Sequence, residues 1–105
     1  MSNSSVVILA SSKEEWILRL NDYRTEAGDF LARIGAKAEP TSTMLEMLEE
    51  ELQLLRNSMD NPDEFRHQLY DILFILFSIA AKHAMDLDME WEKGRQKKNE
   101  KYASG

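Results

Sequence analysis

Residues 64–88 read EFRHQLYDILFILFSIAAKHAMDLD, and the apolar run inside them decides the fold. From Ile72 to Ala81, nine of ten residues are apolar, and Ser78 is the exception. The run is too short to cross a bilayer, so we interpret it as a helix that is buried on nearly all sides. A helix surrounded in this way needs several neighbours, and a short chain offers few. We therefore expect a partner subunit.

Capping residues mark where the helix with this run begins and where the next one follows. Asn61 is a favoured N-cap residue, Pro62 suits the first helical position, and Glu64 suits the third. We therefore predict that this third helix begins at Asn61. A fourth helix is predicted to start near Asp86 or Asp88 and to become polar and basic after a weak apolar face.

Two capping boxes predict the helices that precede it. Ser12 with Glu15 starts the first helix, which Gly35 ends, and Thr43 with Glu46 starts the second. The second helix carries an apolar stripe at helical spacing. Its members are Leu45, Leu48, Leu52, Leu55 and Met59. The sequence therefore predicts four helices and no sheet.

The composition limits the class of protein. The chain has 105 residues, of which 43% are apolar and 30% charged, so we predict one all-α domain over residues 1–105. It has no cysteine, which excludes disulfides and cysteine-based metal sites. No segment has the pattern of a signal peptide or a membrane span, so we expect a cytoplasmic protein with residues 1–11 as a flexible N-terminus. The net charge of −6 argues against nucleic-acid binding.

Charge is distributed unevenly along the chain. Residues 42–71 contain eight acidic residues against two basic ones, and residues 93–101 contain five basic residues against one acidic one. An acidic middle and a basic tail could bind a metal ion and a phosphate group respectively. The alternative interpretation is two solvated helix faces, which is the usual meaning of such runs.

The second predicted helix carries a polar face that could bind a cation. Its members, spaced three or four residues apart, are Glu46, Glu49, Glu50 and Gln53. Like charges at this spacing repel each other by about 0.2–0.5 kcal/mol per exposed pair. A divalent cation would convert this repulsion into ligation, and Mg²⁺ prefers hard oxygen ligands of this kind. Glutamates that simply face water are the alternative.

Asp71 stands immediately before the apolar run, with Gln68 one helical turn earlier. The connection SMDNP is short enough for the second and third helices to pack as a hairpin. The hairpin would place Asp71 and Gln68 opposite the polar face, in an acidic cleft that a metal ion neutralises. The alternative is that Asp71 lies near the helix N-terminus, where the helix dipole or a pair with Arg56 or Arg66 stabilises it.

The order of these features resembles a known family. An acidic helix, a short link, a helix with an aspartate near its start and a basic tail follow each other in the MazG-like all-α nucleoside triphosphate pyrophosphohydrolases. Their motifs are Glu-Glu-x-x-Glu and Glu-x-x-Asp, and the matching stretches here are EEELQ, QLYDILFIL, AMDLDME and, in the tail, KKNEKY. The resemblance covers residues 42–102 and implies a four-helix MazG-like bundle that is completed by oligomerisation.

The resemblance implies Mg²⁺ as the cofactor and assigns its ligands. In the preferred register Glu49 and Glu50 match the first motif and would be the catalytic carboxylates, while Gln53 replaces its last glutamate. In the second motif Asp71 matches, and Gln68 replaces the glutamate. The implied metal ligands are Glu46, Glu49, Glu50, Gln53, Gln68 and Asp71. The register is open by one turn, because the second helix offers several glutamate pairs of the same spacing.

The resemblance also implies a substrate and an assembly. MazG-like enzymes cleave nucleoside triphosphates to monophosphates and pyrophosphate. The tail residues implied near the phosphates are Lys93, Lys98, Asn99, Lys101 and Tyr102. Two amides in the metal site predict weak or lost activity, and the alternative is a non-catalytic nucleotide-binding or protein-interaction module on the same scaffold. A homodimer or homotetramer is expected, without a nucleic-acid or membrane partner.

Overall fold

The computed structural model describes residues 19–103, and every regular element in this part of the chain is an α-helix. The helices are α1 (Leu20–Arg33), α2 (Thr41–Asn57), α3 (Pro62–Lys82) and α4 (Leu87–Ala103). The prediction of an all-α chain is confirmed for these residues. The predicted first capping box, Ser12 with Glu15, and the predicted flexible segment 1–11 lie outside them.

Helix α3 is the centre of the fold, because α1 and α2 both pack against it. Ile72 and Ile75 in its middle are each only 8% exposed. The rings of Phe30 on α1 and Phe74 on α3 meet edge to face with their centroids 5.4 Å apart. Ser78, the one polar residue of the apolar run, donates its hydroxyl hydrogen to the Phe74 carbonyl at 2.8 Å. Its burial therefore leaves no hydroxyl donor unpaired.

Two glycines shape α1. A Cβ atom added at Gly28 would lie 3.1 Å from the Cβ of Ala81, so this glycine lets α1 approach α3 closely. Gly35 follows the end of the helix with φ of +76°, the left-handed conformation that glycine adopts without strain. The Gly35 N–H donates to the Ala32 carbonyl at 3.2 Å. The predicted end of the first helix at Gly35 is confirmed.

The start of α3 follows the predicted capping chemistry. Asn61 is the N-cap residue, and its side-chain oxygen accepts a hydrogen bond from the Glu64 N–H at 3.2 Å. Pro62 occupies the first helical position, where its missing N–H costs nothing. The prediction of this helix start from Asn61, Pro62 and Glu64 is confirmed.

The predicted start of α2 is wrong. The helix begins at Thr41 with Pro40 as its N-cap residue, and Thr43 already lies inside the first turn. The Pro40 carbonyl accepts hydrogen bonds from the N–H groups of Thr43 and Met44 at 3.1 and 3.2 Å, and no side chain caps this end of the helix. The Thr41 hydroxyl oxygen lies 2.8 Å from His83 Nε2, so the start of α2 is tied to the end of α3.

Helix α4 is fastened to α1 by reciprocal caps at their N-termini. The Asp88 carboxylate accepts hydrogen bonds from the Leu20 N–H at 2.9 Å and the Asn21 N–H at 3.4 Å. The Asn21 side chain donates to Asp86 at 3.0 Å and accepts from the Leu87 N–H at 2.8 Å. We call this cluster the α1–α4 latch. It confirms the predicted start of the fourth helix near Asp86 or Asp88.

Acid should weaken the latch. The hydrogen bond from Asn21 holds the pKa of the Asp86 carboxyl below its ordinary value of 3.8. A carboxyl group with a depressed folded pKa contributes stability above its unfolded pKa, and this contribution is lost as the pH falls through the folded pKa. We expect the melting temperature to fall more steeply below pH 3.8 in the wild type than in Asp86→Asn. Equal slopes in thermal scans across that range would contradict this assignment.

Beyond the latch, α4 projects from the other helices. Its packing within residues 19–103 is chiefly against α1, and every residue from 89 to 102 is exposed. Trp91 and Tyr102 are 67% and 70% exposed. Charged neighbours pair along the helix, including Arg95 with Glu92. The three packed helices of one chain are therefore α1, α2 and α3.

Helix α3 is less covered within one chain than its composition predicts. Leu69, Leu73 and Leu76 are 42%, 51% and 46% exposed, because α1 and α2 cover only two sides of the helix. The expected partner subunit that would cover the third side stays a prediction. Across residues 19–103, no helix combines the length and the apolar character needed to cross a membrane.

Candidate functional site

Within residues 19–103, two buried side-chain oxygen atoms have no hydrogen-bond partner, and one lies on α2 and the other on α3. They belong to Glu51 and Gln68, and each is a side-chain Oε1 atom. The two residues stand equally far from the α2–α3 turn, so antiparallel packing puts them opposite each other. Met44 and Ile75 are also equally far from the turn, and both line one cavity of about 370 Å³. Glu51 and Gln68 therefore stand at the same level of the antiparallel helix pair, one with a carboxylate oxygen and one with an amide oxygen.

Asp71 lies one turn beyond Gln68, and its partner is a histidine. His67 Nε2 stands 3.3 Å from Asp71 Oδ2, and the Asp71 side chain is 33% exposed. The predicted alternative, a pair with Arg56 or Arg66, is wrong within residues 19–103, since Arg66 pairs with Asp63 on its own helix. Asp71 is therefore neither isolated nor fully buried, which answers how a carboxylate is tolerated beside the apolar run.

The predicted ligands on α2 lie on its exposed side. These residues are Glu46, Glu49, Glu50 and Gln53. Gln53 donates a hydrogen bond of 3.5 Å to Asn57 on its own helix. The structure therefore does not bring these four side chains to the interface with Gln68 and Asp71.

Glu51 is an acidic residue of α2 that the predicted set of metal ligands does not include. It is half-buried, whereas Glu49 and Glu50 beside it are exposed. A signal for this was present, because Leu48, Glu51 and Leu55 are spaced three and four apart and occupy one helical stripe. An acidic residue inside an apolar stripe indicates a carboxylate that faces the neighbouring helix.

The α2–α3 interface offers oxygen atoms that could bind a cation, but the described residues form no cluster of acidic side chains there. Within residues 19–103, no group of three or more His, Asp or Glu side chains stands close enough together to hold a metal ion. Gln68 can add a neutral oxygen to the carboxylates of Glu51 and Asp71. Carboxylate and amide oxygens are ligands that Mg²⁺ accepts, although it keeps several waters when few of them are charged.

The predicted phosphate-binding residues all lie on α4 and are exposed. Lys98 and Asn99 line a depression of about 230 Å³ beside Trp91. Lys93 is 3.9 Å from Glu90, and the Lys101 ammonium lies 5.3 Å from the centre of the Tyr102 ring. Since α4 packs chiefly on α1, the structure does not bring these groups to Glu51 and Gln68 in one chain.

Comparisons with known proteins add no relative. No family model, no curated protein and no solved structure matches this chain.

Proposed function

We propose that this chain is a MazG-like, Mg²⁺-dependent protein that acts on nucleoside triphosphates, with weak pyrophosphohydrolase activity. The observation that supports it best is the pair of orphan buried oxygens of Glu51 and Gln68 between α2 and α3. Unpaired buried polar atoms cost about 1–3 kcal/mol each, so two of them at the same level of the α2–α3 pair favour a ligand between the helices. A cation is the ligand that two oxygen acceptors can share.

The residues fit a loosely held Mg²⁺. Glu51 and Asp71 would supply charged oxygens, and Gln68 would supply a neutral one. When bound, the ion would polarise the phosphate groups of a triphosphate. The ligands named from the family pattern, Glu49 and Glu50 among them, stay predictions, and their exposed position suits contacts to a second chain or to solvent. A site with one amide among three ligands would hold the ion weakly.

Replacing Asp71 tests the metal assignment. We expect Asp71→Asn to abolish detectable Mg²⁺ binding in calorimetry and to remove any pyrophosphate release, because the site loses one of its two charges. Its helical content should be unchanged, since only an exposed pair with His67 is lost.

Asp63→Asn is the matched control for this substitution. Asp63 is another α3 carboxylate paired with a basic neighbour, and it lies at the exposed start of the helix. Its loss should leave Mg²⁺ binding unchanged. The metal assignment fails if both variants bind the ion like the wild type, or if Asp71→Asn unfolds while the wild type never binds Mg²⁺.

The second candidate function is a non-catalytic module that binds a nucleotide or another protein. The neutral Gln68 and the engaged Asp71–His67 pair favour it, because both reduce the charge available to a metal ion. Binding of a non-hydrolysable triphosphate without pyrophosphate release from a hydrolysable one would select this function. A homodimer or homotetramer and a cytoplasmic location belong to both proposals.

A further inference from the structure

Two cavities adjoin each other at the end of the three packed helices that lies away from the α2–α3 turn. One has a volume of about 370 Å³ and the other of about 350 Å³. The residues that line both cavities are Leu31, Ala36, Met44 and Ser78. Glu51, Gln68 and Asp71 line neither of them, so this region is separate from the proposed metal site.

The larger cavity has mostly hydrocarbon walls, and we call it the apolar cavity. Phe74 and Ile75 on α3 and Met47 on α2 are among the residues that line it. The polar members of its lining are Glu39, Thr43 and Ser78. A dry cavity of about 150 Å³ holds benzene, so this cavity has room for an alkyl chain of about ten carbon atoms. Its lining contains no basic residue.

The smaller cavity is lined by three basic residues, and we call it the basic cavity. Arg24, Lys37 and Lys82 line it together with a single carboxylate, that of Asp29. The Arg24 guanidinium donates to the Met85 carbonyl, which holds the arginine at this position. Within residues 19–103 neither lysine forms an ion pair. In a chain of net charge −6, this excess of cations makes the basic cavity a local site for an anion.

The helix dipole alone does not explain these lysines. Lys82 stands in the last turn of α3, where a cation is stabilised by the carbonyl end of the helix. Lys37 lies in the connection between α1 and α2 and has no such role. Neither lysine accounts for the apolar cavity that adjoins them. The two cavities together therefore indicate a ligand with two chemically different ends.

The charges around the cavities give such a ligand a direction. Met44 borders both cavities, and a methionine side chain is flexible enough to let a chain pass from one into the other. Glu39 disfavours an anion at the apolar cavity, whereas Arg24, Lys37 and Lys82 favour one at the basic cavity. A ligand would therefore place its hydrocarbon part against Phe74 and its anionic part beside the three cations.

We propose that the two cavities together bind a molecule with a straight alkyl chain and an anionic head group, either a carboxylate or a phosphate ester. The chain lies in the apolar cavity and the head group in the basic cavity. Ligand sites are typically concave and apolar, with a few polar groups that fix orientation, and these cavities have that character. The inference does not depend on the proposed nucleotide chemistry, because none of its residues belongs to the proposed metal site.

Labelled methionine methyl groups give a direct readout, because two of the six methionines line the apolar cavity. Titration of the full chain with decanoate, below the concentration at which decanoate forms micelles, should shift the NMR signals of the Met44 and Met47 methyl groups. Met59 and Met89 are exposed and line neither cavity, so their signals should not move. Decyltrimethylammonium has the same chain with a cationic head group, and it should bind at least about tenfold more weakly.

Reversing the charge of the basic cavity tests the head-group site. Lys37→Glu with Lys82→Glu should raise the dissociation constant of decanoate at least about tenfold in calorimetry, because two exposed attractions become repulsions. Arg56→Glu with Lys97→Glu is the matched control. It changes the net charge equally at exposed positions that line neither cavity, and it should bind decanoate like the wild type. Decyl phosphate in the same assay identifies the head group, since the tighter of the two anions reveals which one the site prefers.

Filling the junction between the cavities tests the site independently of charge. Ala36 lines both cavities, so the ring of Ala36→Phe should occupy the path of the chain and abolish the Met47 shift. Ala38→Phe adds the same ring at an exposed position in the same connection and should leave the shift unchanged. Circular dichroism verifies that each variant is folded. If Ala36→Phe does not fold, the charge variants decide the matter.

Three outcomes would overturn the proposal. The first is a wild type in which decanoate moves neither the Met44 nor the Met47 signal, which is also the result if a partner subunit fills the cavities. The second is equal affinity for decanoate and decyltrimethylammonium, which would mean that the basic residues do not select the head group. The third is a decanoate affinity that the Lys37 and Lys82 reversals leave unchanged.

Discussion

Replacing Gln68 by glutamate is expected to tighten Mg²⁺ binding by about tenfold or more, equivalent to at least about 1.4 kcal/mol. The buried amide oxygen of Gln68 stands at the same level of the α2–α3 pair as the buried oxygen of Glu51, and one turn before Asp71. A carboxylate there would give the site a third charged ligand, and Mg²⁺ prefers charged oxygens when it gives up water. Pyrophosphate release from a nucleoside triphosphate should rise with metal occupancy.

The same substitution should destabilise the metal-free protein. The new carboxylate and Glu51 would repel each other in a half-buried setting, and we expect a loss of about 1–3 kcal/mol in the free energy of unfolding. Saturating Mg²⁺ should recover this loss, since a ligand that binds only the folded state stabilises it. Denaturant titrations with and without Mg²⁺ measure both effects on one sample.

Gln53→Glu is the matched control, because it makes the same chemical change two residues after Glu51, on the exposed side of α2. Gln53 is exposed and bonds only to Asn57 on its own helix among the contacts of residues 19–103. It should alter neither Mg²⁺ affinity nor stability by more than about 0.5 kcal/mol. If Gln53→Glu and Gln68→Glu change the Mg²⁺ affinity equally, the metal site lies on the outer face of α2, as the family register predicts.

Helix boundaries could be predicted where a single local signal decides them. Asn61 with Pro62 allows only one helix start, and Gly35 is the only glycine near the end of α1. The start of α2 was ambiguous, because PTSTMLE offers three hydroxyl residues in a row as N-caps. The start of α2 at Thr41 is set by Pro40 and by the contact of Thr41 with His83, and that contact depends on tertiary structure.

The orientation of the acidic residues depended on how α2 packs. Three consecutive glutamates point in three directions from a helix, and only the packing direction selects which one meets a neighbour. The family register puts Glu49 and Glu50 at the motif positions, whereas Glu51 is the half-buried member of the three, with a buried side-chain oxygen. The hydrophobic stripe through Leu48 and Leu55 contained this information.

The extent of burial around α3 could not be read from its composition alone. An apolar helix implies neighbours, but their number depends on where the other helices are directed. The latch directs α4 outward, and so Leu69 and Leu76 are uncovered within one chain. A local pair such as His67 with Asp71, four residues apart, was predictable from spacing.

Truncating Ile75 to alanine should cause a large loss of stability. Ile75 is 8% exposed and lies between α3 and α2 beside Met44. Removing three buried carbon atoms from such a position costs about 2–5 kcal/mol, because the transfer free energy is lost and a cavity is left. For a chain of this size the melting temperature should fall by about 4–8 °C for each kcal/mol lost.

Leu76→Ala removes the same number of carbon atoms from the adjacent position, where the side chain is 46% exposed within one chain. In a monomer this truncation should cost less than about 1 kcal/mol, since little buried surface is lost. If a partner subunit covers this side of α3, the truncation should cost nearly as much as that of Ile75. The cost should also depend on protein concentration, because dissociation precedes unfolding. Denaturation of both variants at two concentrations distinguishes the monomer from the covered helix. A small effect of Leu76→Ala that does not depend on concentration would mean that this side of α3 is open to solvent.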